Sequence, residues 1–452
     1  MIEAPSWRPL IEGELAAPAL AAVEAIAADL RAAEPAPPDG LREDETALWR
    51  GSLATGDAGR ALLLAYLDFH TEATRDGSAP DDGLAATALD LLDRAVDGTA
   101  AAPPRPGLLA GLPGIGWVAE HLRDRLFDQE AEAGDPLDEA VLAWLSRLRW
   151  DGGHDLAGGL AGLGVHALER LPRPAAFHAL ELAVDRLTAN AERTAAGASW
   201  FTPPERLPPA RRRGRERGCY DLGAAHGAAG VIAFLGAACQ ARRRAGLPAG
   251  GALPLLEEAV RGLLSHQRPD RGNGRFPPFL APGAELNGSR LAWCYGDLGI
   301  AAALAVAGEG ADRPDWRSTA FEIAHAAADR PIPTSGVMDA GLCHGAAGVA
   351  HLFNRLYQAS GEESLGEAAR RWYGHALALR EPGQGAGGFR AWETDTEGRG
   401  AWYDDFGFLT GAAGTGLALL AAVSPVEPEW DRALLLSLPR PSWPSEDICT
   451  KL

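Results

Sequence analysis

Lysine is almost absent from this 452-residue chain: Lys451 is the only one, and every other residue in the basic count is arginine. An Ala/Gly/Arg-rich coding composition accounts for that without a functional cause. Positive charge is in the minority as well, with 42 lysines and arginines against 61 acidic residues and a formal net charge of −19. A surface of that sign repels phosphate backbones, which excludes nucleic acid as the main partner. Cysteine is scarce and odd in number: Cys219, Cys239, Cys294, Cys343 and Cys449. The number is odd, the chain is long, and MIEAPSWRPL at the N-terminus does not read as a signal peptide, so a disulfide scaffold is not expected. A reducing cytosol is expected, where cysteines are buried, catalytic or metal-bound. Strongly apolar runs are missing too. Residues 222–241 and 406–426 are uncharged and approach membrane length. Both are rich in Gly and Ala and lack the positive flanks and Leu/Ile/Phe density of a spanning helix. The alternating pattern of strands is almost nowhere to be found.

A short repeat is abundant instead. G-x-x-G recurs in TGDAG (55–59), AGLPG (110–114), GGLAG (158–162), HGAAG (226–230), YGDLG (295–299), HGAAG (344–348) and TGAAG (410–414). Each copy runs into apolar residues of helical character, such as RALLLAYL or VIAFLGAA. Hydrophobic nearly all round, these read as helices buried on both sides. Amphipathic segments lie between the copies, for example 136–148 and 365–379, and read as outer helices with one wet face. The chain is therefore expected to be all-α. Its seven helix pairs span about 47–425 of one domain over 1–452. Glycine at each inner-helix mouth permits unusual φ and lets helix ends crowd. Crowded N-termini suggest closure into a ring around a mildly electropositive centre; an open solenoid of helix pairs is the alternative. A long Pro/Arg-rich loop at 199–219 interrupts the pattern. Its five arginines, Arg211, Arg212, Arg213, Arg215 and Arg217, read either as a docking patch for an acidic peptide or as a solvated loop.

The chemistry starts at GLCHG, where Cys343 and His344 adjoin at a helix mouth. Helical neighbours point about 100° apart, so two adjacent ligands share a metal only at a turn or cap. They ask for a third ligand from elsewhere. Cys294, in WCYGDLG, lies just before the G-x-x-G of repeat five, as Cys343 and His344 do in repeat six. Cys/Cys/His leaves a tetrahedral Zn²⁺ one ligand short, the mark of a catalytic site. Two buried cysteines and a satisfied histidine are the bland alternative. His226 sits before the G-x-x-G of repeat four, as a fourth ligand or as an acid/base beside the metal. Asp155 and Arg290 are polar groups near other helix mouths, with a cap aspartate and a surface arginine as their plain readings. His121, His166 and His375 lie within amphipathic segments and read as structural.

DLAGGLAG with Asp155, DLGAAHG with His226, RLAWCYG with Arg290 and Cys294, and GLCHG with Cys343 and His344 together resemble the lanthipeptide cyclase (LanC) family over nearly the whole chain. The resemblance implies an α/α toroid with a central zinc held by Cys294, Cys343 and His344. It implies acid/base or activating roles for His226, Asp155 and Arg290. Family members add a cysteine thiol of a peptide to dehydroalanine or dehydrobutyrine, forming lanthionine or methyllanthionine. With no dehydratase or kinase region upstream, a stand-alone cyclase is expected. Its substrate would be a dehydrated precursor peptide. A separate dehydratase and an exporter would be its partners, in the cytoplasm or peripheral to a membrane biosynthetic complex. No nucleic acid or transmembrane segment is expected.

That chemistry suits the residues. A free thiol is mostly protonated at neutral pH and a metal site lowers its pKa. Addition yields an enolate that a positioned acid must protonate, His226 being the candidate. Arg290 could polarise the carbonyl or hold the enolate charge. Asp155 could orient His226 or be the acid/base itself. Three rivals stand beside this reading. They are another zinc-dependent thiol alkylation of the prenyltransferase kind, a LanC-like protein adding glutathione to dehydroamino acids, and a non-catalytic peptide-binding module with structural zinc.

Overall fold

A computed structural model describes residues 7–38, 40–74, 83–101, 104–127, 135–147, 150–269, 272–284, 288–394 and 399–439. Cys449 and Lys451 lie outside them. Fifteen α-helices occur in the described residues. In chain order they are α1 (Ala16–Ala32), α2 (Glu43–Gly51), α3 (Asp57–Thr74), α4 (Leu84–Gly98), α5 (Leu112–Leu122), α6 (Pro136–Leu145), α7 (Leu160–Glu169), α8 (Pro174–Asn190), α9 (Ala228–Arg244), α10 (Ala252–Leu264), α11 (Asp297–Gly310), α12 (Pro314–Ala328), α13 (Ala346–Ser360), α14 (Glu363–Ala378) and α15 (Ala412–Val423). The two uncharged stretches supply α9 and α15, and no described helix is long and apolar enough to cross a membrane.

The odd-numbered helices from α3 to α15 are the inner set, and each follows one copy of the G-x-x-G motif. Each packs on the next in order, and α15 packs on α3, so the ring closes. Outer helices α8, α10, α12 and α14 each pack on the inner helix before them, as α4 does on α3. The outer partner of α15 comes from the other end of the chain: α1 covers it. This is the all-α toroid that the family resemblance implies, and the repeat's ring is realised in place of the open solenoid.

Closure is written most plainly in the backbone just ahead of each motif. Ala54 N–H donates to Leu109 O (2.8 Å), Leu109 to Ala157 (3.0 Å), Ala157 to Ala225 (3.1 Å) and Ala225 to Cys294 (3.4 Å). Cys294 N–H then donates to Cys343 O (3.4 Å), Cys343 to Leu409 (2.7 Å) and Leu409 back to Ala54 (3.0 Å). Seven residues from seven helix mouths, each donating with its N–H and accepting with its C=O, thus form an unbroken circle of hydrogen bonds.

The motif glycines serve this crowding through size, and the expectation of unusual φ is corrected. Among them only Gly296 has a positive φ, 102°. A Cβ on the second glycine of each motif would instead strike the carbonyl oxygen six residues earlier. The approach would be 2.3 Å at Gly59, 1.8 Å at Gly114, 2.3 Å at Gly162, 2.0 Å at Gly230, 2.1 Å at Gly299, and 1.8 Å at Gly348 and Gly414.

The ring's middle is filled rather than hollow beneath the mouths. The 3₁₀ segment Glu429–Leu434 inserts among the inner helices. Trp430 stacks on His351 (4.8 Å) and meets Phe408 edge-on, while Leu434 O accepts from Trp293 Nε1 (3.1 Å). Asp431, fully buried, accepts from Arg355 Nε (2.6 Å) and Nη2 (2.9 Å) and lies 2.7 Å from His351 Nε2. Across the ring, Arg432 reaches Glu169 (2.7 Å).

Three short antiparallel strand pairs accompany the helices in the described residues, which the near absence of alternating pattern did not anticipate. Strands β1 (Glu192–Thr194) and β2 (Gly197–Ser199) pair, as do β3 (Tyr220–Asp221) and β4 (Phe279–Leu280), and β5 (Ala391–Thr394) and β6 (Gly400–Tyr403).

Candidate metal centre and its surroundings

The circle of peptide bonds decides where the chemistry sits. Cys294 and Cys343 are themselves members of it, joined by Cys294 N–H to Cys343 O, so their side chains leave adjacent points of one ring. The next residue in each repeat takes a second register: Thr55, Ala110, Gly158, His226, Tyr295, His344 and Thr410. His226 thus shares the register of His344 and lies one position past that of the two cysteines. Ligand atoms of Cys294, Cys343 and His344 all lie within 4.8 Å of one another. Both thiols are buried. A hydrogen bond from Cys343 outweighs burial and draws Cys294 well below the usual thiol range, with His344 and the Arg290 charge adding to the effect. Cys343 moves the other way, held protonated by its partner's sulfur and by burial. His344 Nδ1 is buried with no hydrogen-bond partner. Two adjacent buried sulfurs and an orphaned imidazole nitrogen are a soft donor set, which fits a thiophilic metal ion such as zinc.

Of the remaining expected residues, Arg290 lies against this trio, and His226 and Asp155 pair with each other at the neighbouring helix mouths. Arg290 Nη2 lies 3.9 Å from Cys294 Sγ, putting a cation against the sulfur. His226 Nδ1 is 3.2 Å from Asp155 Oδ2, and Asp155 Oδ1 accepts from Gly158 N–H (2.8 Å). Burial opposes ionisation of Asp155, but the His226 hydrogen bond, the charges of His226 and His154 and the Gly158 N–H prevail and hold it at about 2. An ionised carboxylate only accepts, so His226 carries its proton on Nδ1 and leaves Nε2 for other work. His121 and His166 are instead held in the helical layer. The first lies between Tyr66 (2.8 Å) and Glu169 (2.8 Å), the second against Pro113 O (2.9 Å). His375 meets Trp372 edge-on.

Sequence reasoning missed Tyr295, although it occupies the register of both histidines. Its ring is centred 6.5 Å from that of His226. Its hydroxyl donates to Asp221 Oδ1 (3.2 Å) and accepts from Arg211 Nη2 (2.7 Å), which also holds Asp221 Oδ2 (2.7 Å). Burial and the Asp221 charge, only partly offset by Arg211 and Arg215, raise the phenol well above its usual range. The arginine loop is therefore not simply a solvated patch. Arg211 and Arg215 turn inward onto buried Asp221, Arg215 also covers the Phe279 ring (3.9 Å), and Arg213 and Arg217 stay exposed.

Asp339 was missed as well. Its Oδ1 accepts from Gly341 N–H (3.1 Å) in the turn that presents Cys343 and His344, and its Oδ2 accepts from Trp392 N–H (2.9 Å) in β5.

The family model described as lanthionine synthetase C-like protein matches residues 48–435. Among solved structures, a nisin cyclase superposes with a TM-score of 0.66 at 17% identity, covering 92% of this chain and 96% of that one. No curated protein matches the sequence. With the family model extending from the first inner pair to the axial segment, the chain belongs to the lanthionine synthetase C-like family.

Proposed function

We propose that this chain is a zinc-dependent lanthipeptide cyclase. It would join a cysteine thiol of a dehydrated precursor peptide to dehydroalanine or dehydrobutyrine. The observation that supports this best is the gathering of Cys294, Cys343 and His344 within 4.8 Å, one repeat from the Asp155–His226 pair. Cys294, Cys343 and His344 would hold the ion. When bound, zinc with three protein ligands supplies one open position at which a thiol ionises at neutral pH. The chain's own residues handle the rest of the charge and the proton.

Sulfur forms a bond to Cβ of the dehydro residue, and the C=C π pair moves toward the adjacent carbonyl, leaving an enolate. Arg290, 3.9 Å from Cys294 Sγ, would supply positive charge beside the metal centre, available to the oxygen that becomes negative. His226 Nε2 takes up the proton that the thiol loses and delivers it to Cα, while ionised Asp155 fixes the tautomer and stabilises the cationic form between the two transfers. The thiol proton lost equals the proton gained at Cα, so product and substrate have equal mass. A separate dehydratase must supply such a substrate, because the addition needs the C=C bond already formed. In this reading the chain acts in the cytoplasm, with an exporter downstream.

The test is incubation of the zinc-loaded protein with a dehydrated Ser/Cys-containing peptide. Alkylatable thiol is counted by mass spectrometry. Loss of thiol at constant mass is expected. Addition of external glutathione without loss of the peptide's own thiol would replace the reading with glutathione transfer. Zinc binding with no reaction would leave a binding module.

A further inference from the structure

The β5–β6 hairpin (391–403) is not used by this chemistry, yet it is fastened to the metal-centre mouth. One carboxylate, Asp339, holds the Gly341 turn with Oδ1 and the Trp392 N–H of β5 with Oδ2. That second bond fixes the orientation of the hairpin. In an antiparallel pair, hydrogen-bonded and non-hydrogen-bonded positions alternate. Trp392 pairs with Trp402 and gives its N–H to Asp339, away from β6. The two therefore form a non-hydrogen-bonded pair, and Trp402 turns its own N–H and C=O to the outer edge of β6. The side chains on that edge are unusual for the surface of so acidic a protein. Trp402 is 41% exposed and Tyr403 37%. Trp392 and Trp402 meet edge-on at 5.1 Å on one face, with the Arg390 guanidinium 5.6 Å from the Trp402 ring centre.

We infer that the outer edge of β6 receives the substrate peptide as an added strand. The docked segment lies outside the reacting residues, is extended, and carries bulky apolar side chains at alternate positions. Backbone groups of Trp402 supply sequence-independent hydrogen bonds, and the aromatic pair selects side chains of one face. The occupant follows from continuity. A strand on this edge is anchored through Asp339 to the same turn that carries Cys343 and His344, so a docked peptide extends from the mouth where it reacts. The inference rests on the cyclase reading for the identity of the peptide but not for the existence of the docking edge.

The test separates the two by measuring binding without turnover. A randomised library of 12-residue peptides is selected on the full chain, and enriched sequences are measured by fluorescence polarisation on wild type, Trp402→Ala and Trp402→Pro. Pro removes the outward N–H without touching an inter-strand bond. Enrichment of alternating apolar sequences that lose tenfold or more in affinity on both variants is expected. Circular dichroism and bound zinc of the variants should match wild type. So should their rate of thiol addition from N-acetylcysteine to N-acetyl-dehydroalanine methyl ester, reactants too small to reach β6. Failure to enrich any peptide, or variants that bind the enriched peptides as tightly as wild type, overturns the inference. A wild-type dimer that becomes monomeric with Trp402→Pro also overturns it and makes the edge a contact between copies. An inactive wild type that still binds the selected peptides through Trp402 would sink the cyclase reading and leave the docking edge standing.

Discussion

Repeats one and two and repeats five and six share one scaffold and differ in what it carries. Ala54 and Leu109 occupy the same places in the peptide circle as Cys294 and Cys343. Gly114 is as tightly enclosed as Gly348, each with a carbonyl oxygen 1.8 Å from where a Cβ would stand. Yet the first two mouths offer Ala, Thr and Leu side chains, while the later two offer two thiols, a phenol and an imidazole. Backbone geometry is thus common property of the ring, and chemistry is decided by single side chains at two registers. Stability and metal affinity should therefore separate cleanly between the two halves.

The sharpest break is Cys343→Ala. Two remaining ligands rarely hold zinc, so stoichiometric metal should be lost with nearly all cyclisation, read by elemental analysis and thiol counting. Leu109→Ala, at the same place in repeat two, should cost about 2–5 kcal/mol in urea unfolding and leave zinc in place. Metal retained in the first variant, or lost in the second, would mean that the repeats are not equivalent scaffolds.

His226→Asn comes next. As a proton donor outside the ligand set, its loss should slow ring formation by about 10²-fold or more with zinc still bound. Joint loss of zinc and rate would make His226 a ligand.

Smaller and more diagnostic is the glycine pair. Gly114→Ala and Gly348→Ala each force a methyl group onto a carbonyl and should each cost about 1–3 kcal/mol. Only Gly348→Ala should weaken zinc binding, since it displaces the turn that carries His344. Competition with a chromogenic chelator measures this.

The smallest effect is the pH dependence of the Asp155–His226 contact. Asp155 is held at about 2, below its ordinary value of 3.8. A depressed carboxylate stabilises the fold above its unfolded pKa, and the contribution disappears as pH falls through the folded one. Wild type should exceed Asp155→Asn by on the order of 1–2 kcal/mol at pH 7, after allowance for its partial exposure. About half of that margin should be gone near pH 3. Urea titrations at both pH values check it, and a margin unchanged between them would place the stabilisation in packing.

Much of this was legible because the repeat is a local pattern. Seven motifs followed by apolar runs specify seven inner helices, and the shared position of Cys294 and Cys343 relative to those motifs identifies them as neighbours. Other features depend on contacts between distant segments and leave no local trace. The need for glycine comes from a carbonyl six residues away at each mouth, which composition suggests but cannot distinguish from a demand on φ. Arg211 reads as surface until Asp221 and Tyr295 are seen to receive it. The strand pairs escaped notice because strands of two to four residues are too short to show a period. Tyr295 was readable in principle: aligning the seven motifs puts it in one column with His226 and His344.

The circle of peptide bonds also has a weakest link. Six of its bonds join consecutive repeats, whereas Leu409 N–H to Ala54 O joins the last repeat to the first. Closing so long a loop costs about 2 kcal/mol more in chain entropy than closing the Cys294–Cys343 step. The ring should therefore part at that seam before it parts at the two cysteines. The chain fastens the seam from outside. Leu10 and Ile11 N–H both reach Ala422 O, Gln358 holds Arg8 O, and α1 lies across α15. The first turn of sequence is in this sense a clasp, and removing it would turn a closed ring into a spring that opens one hydrogen bond away from the Cys294–Cys343 step.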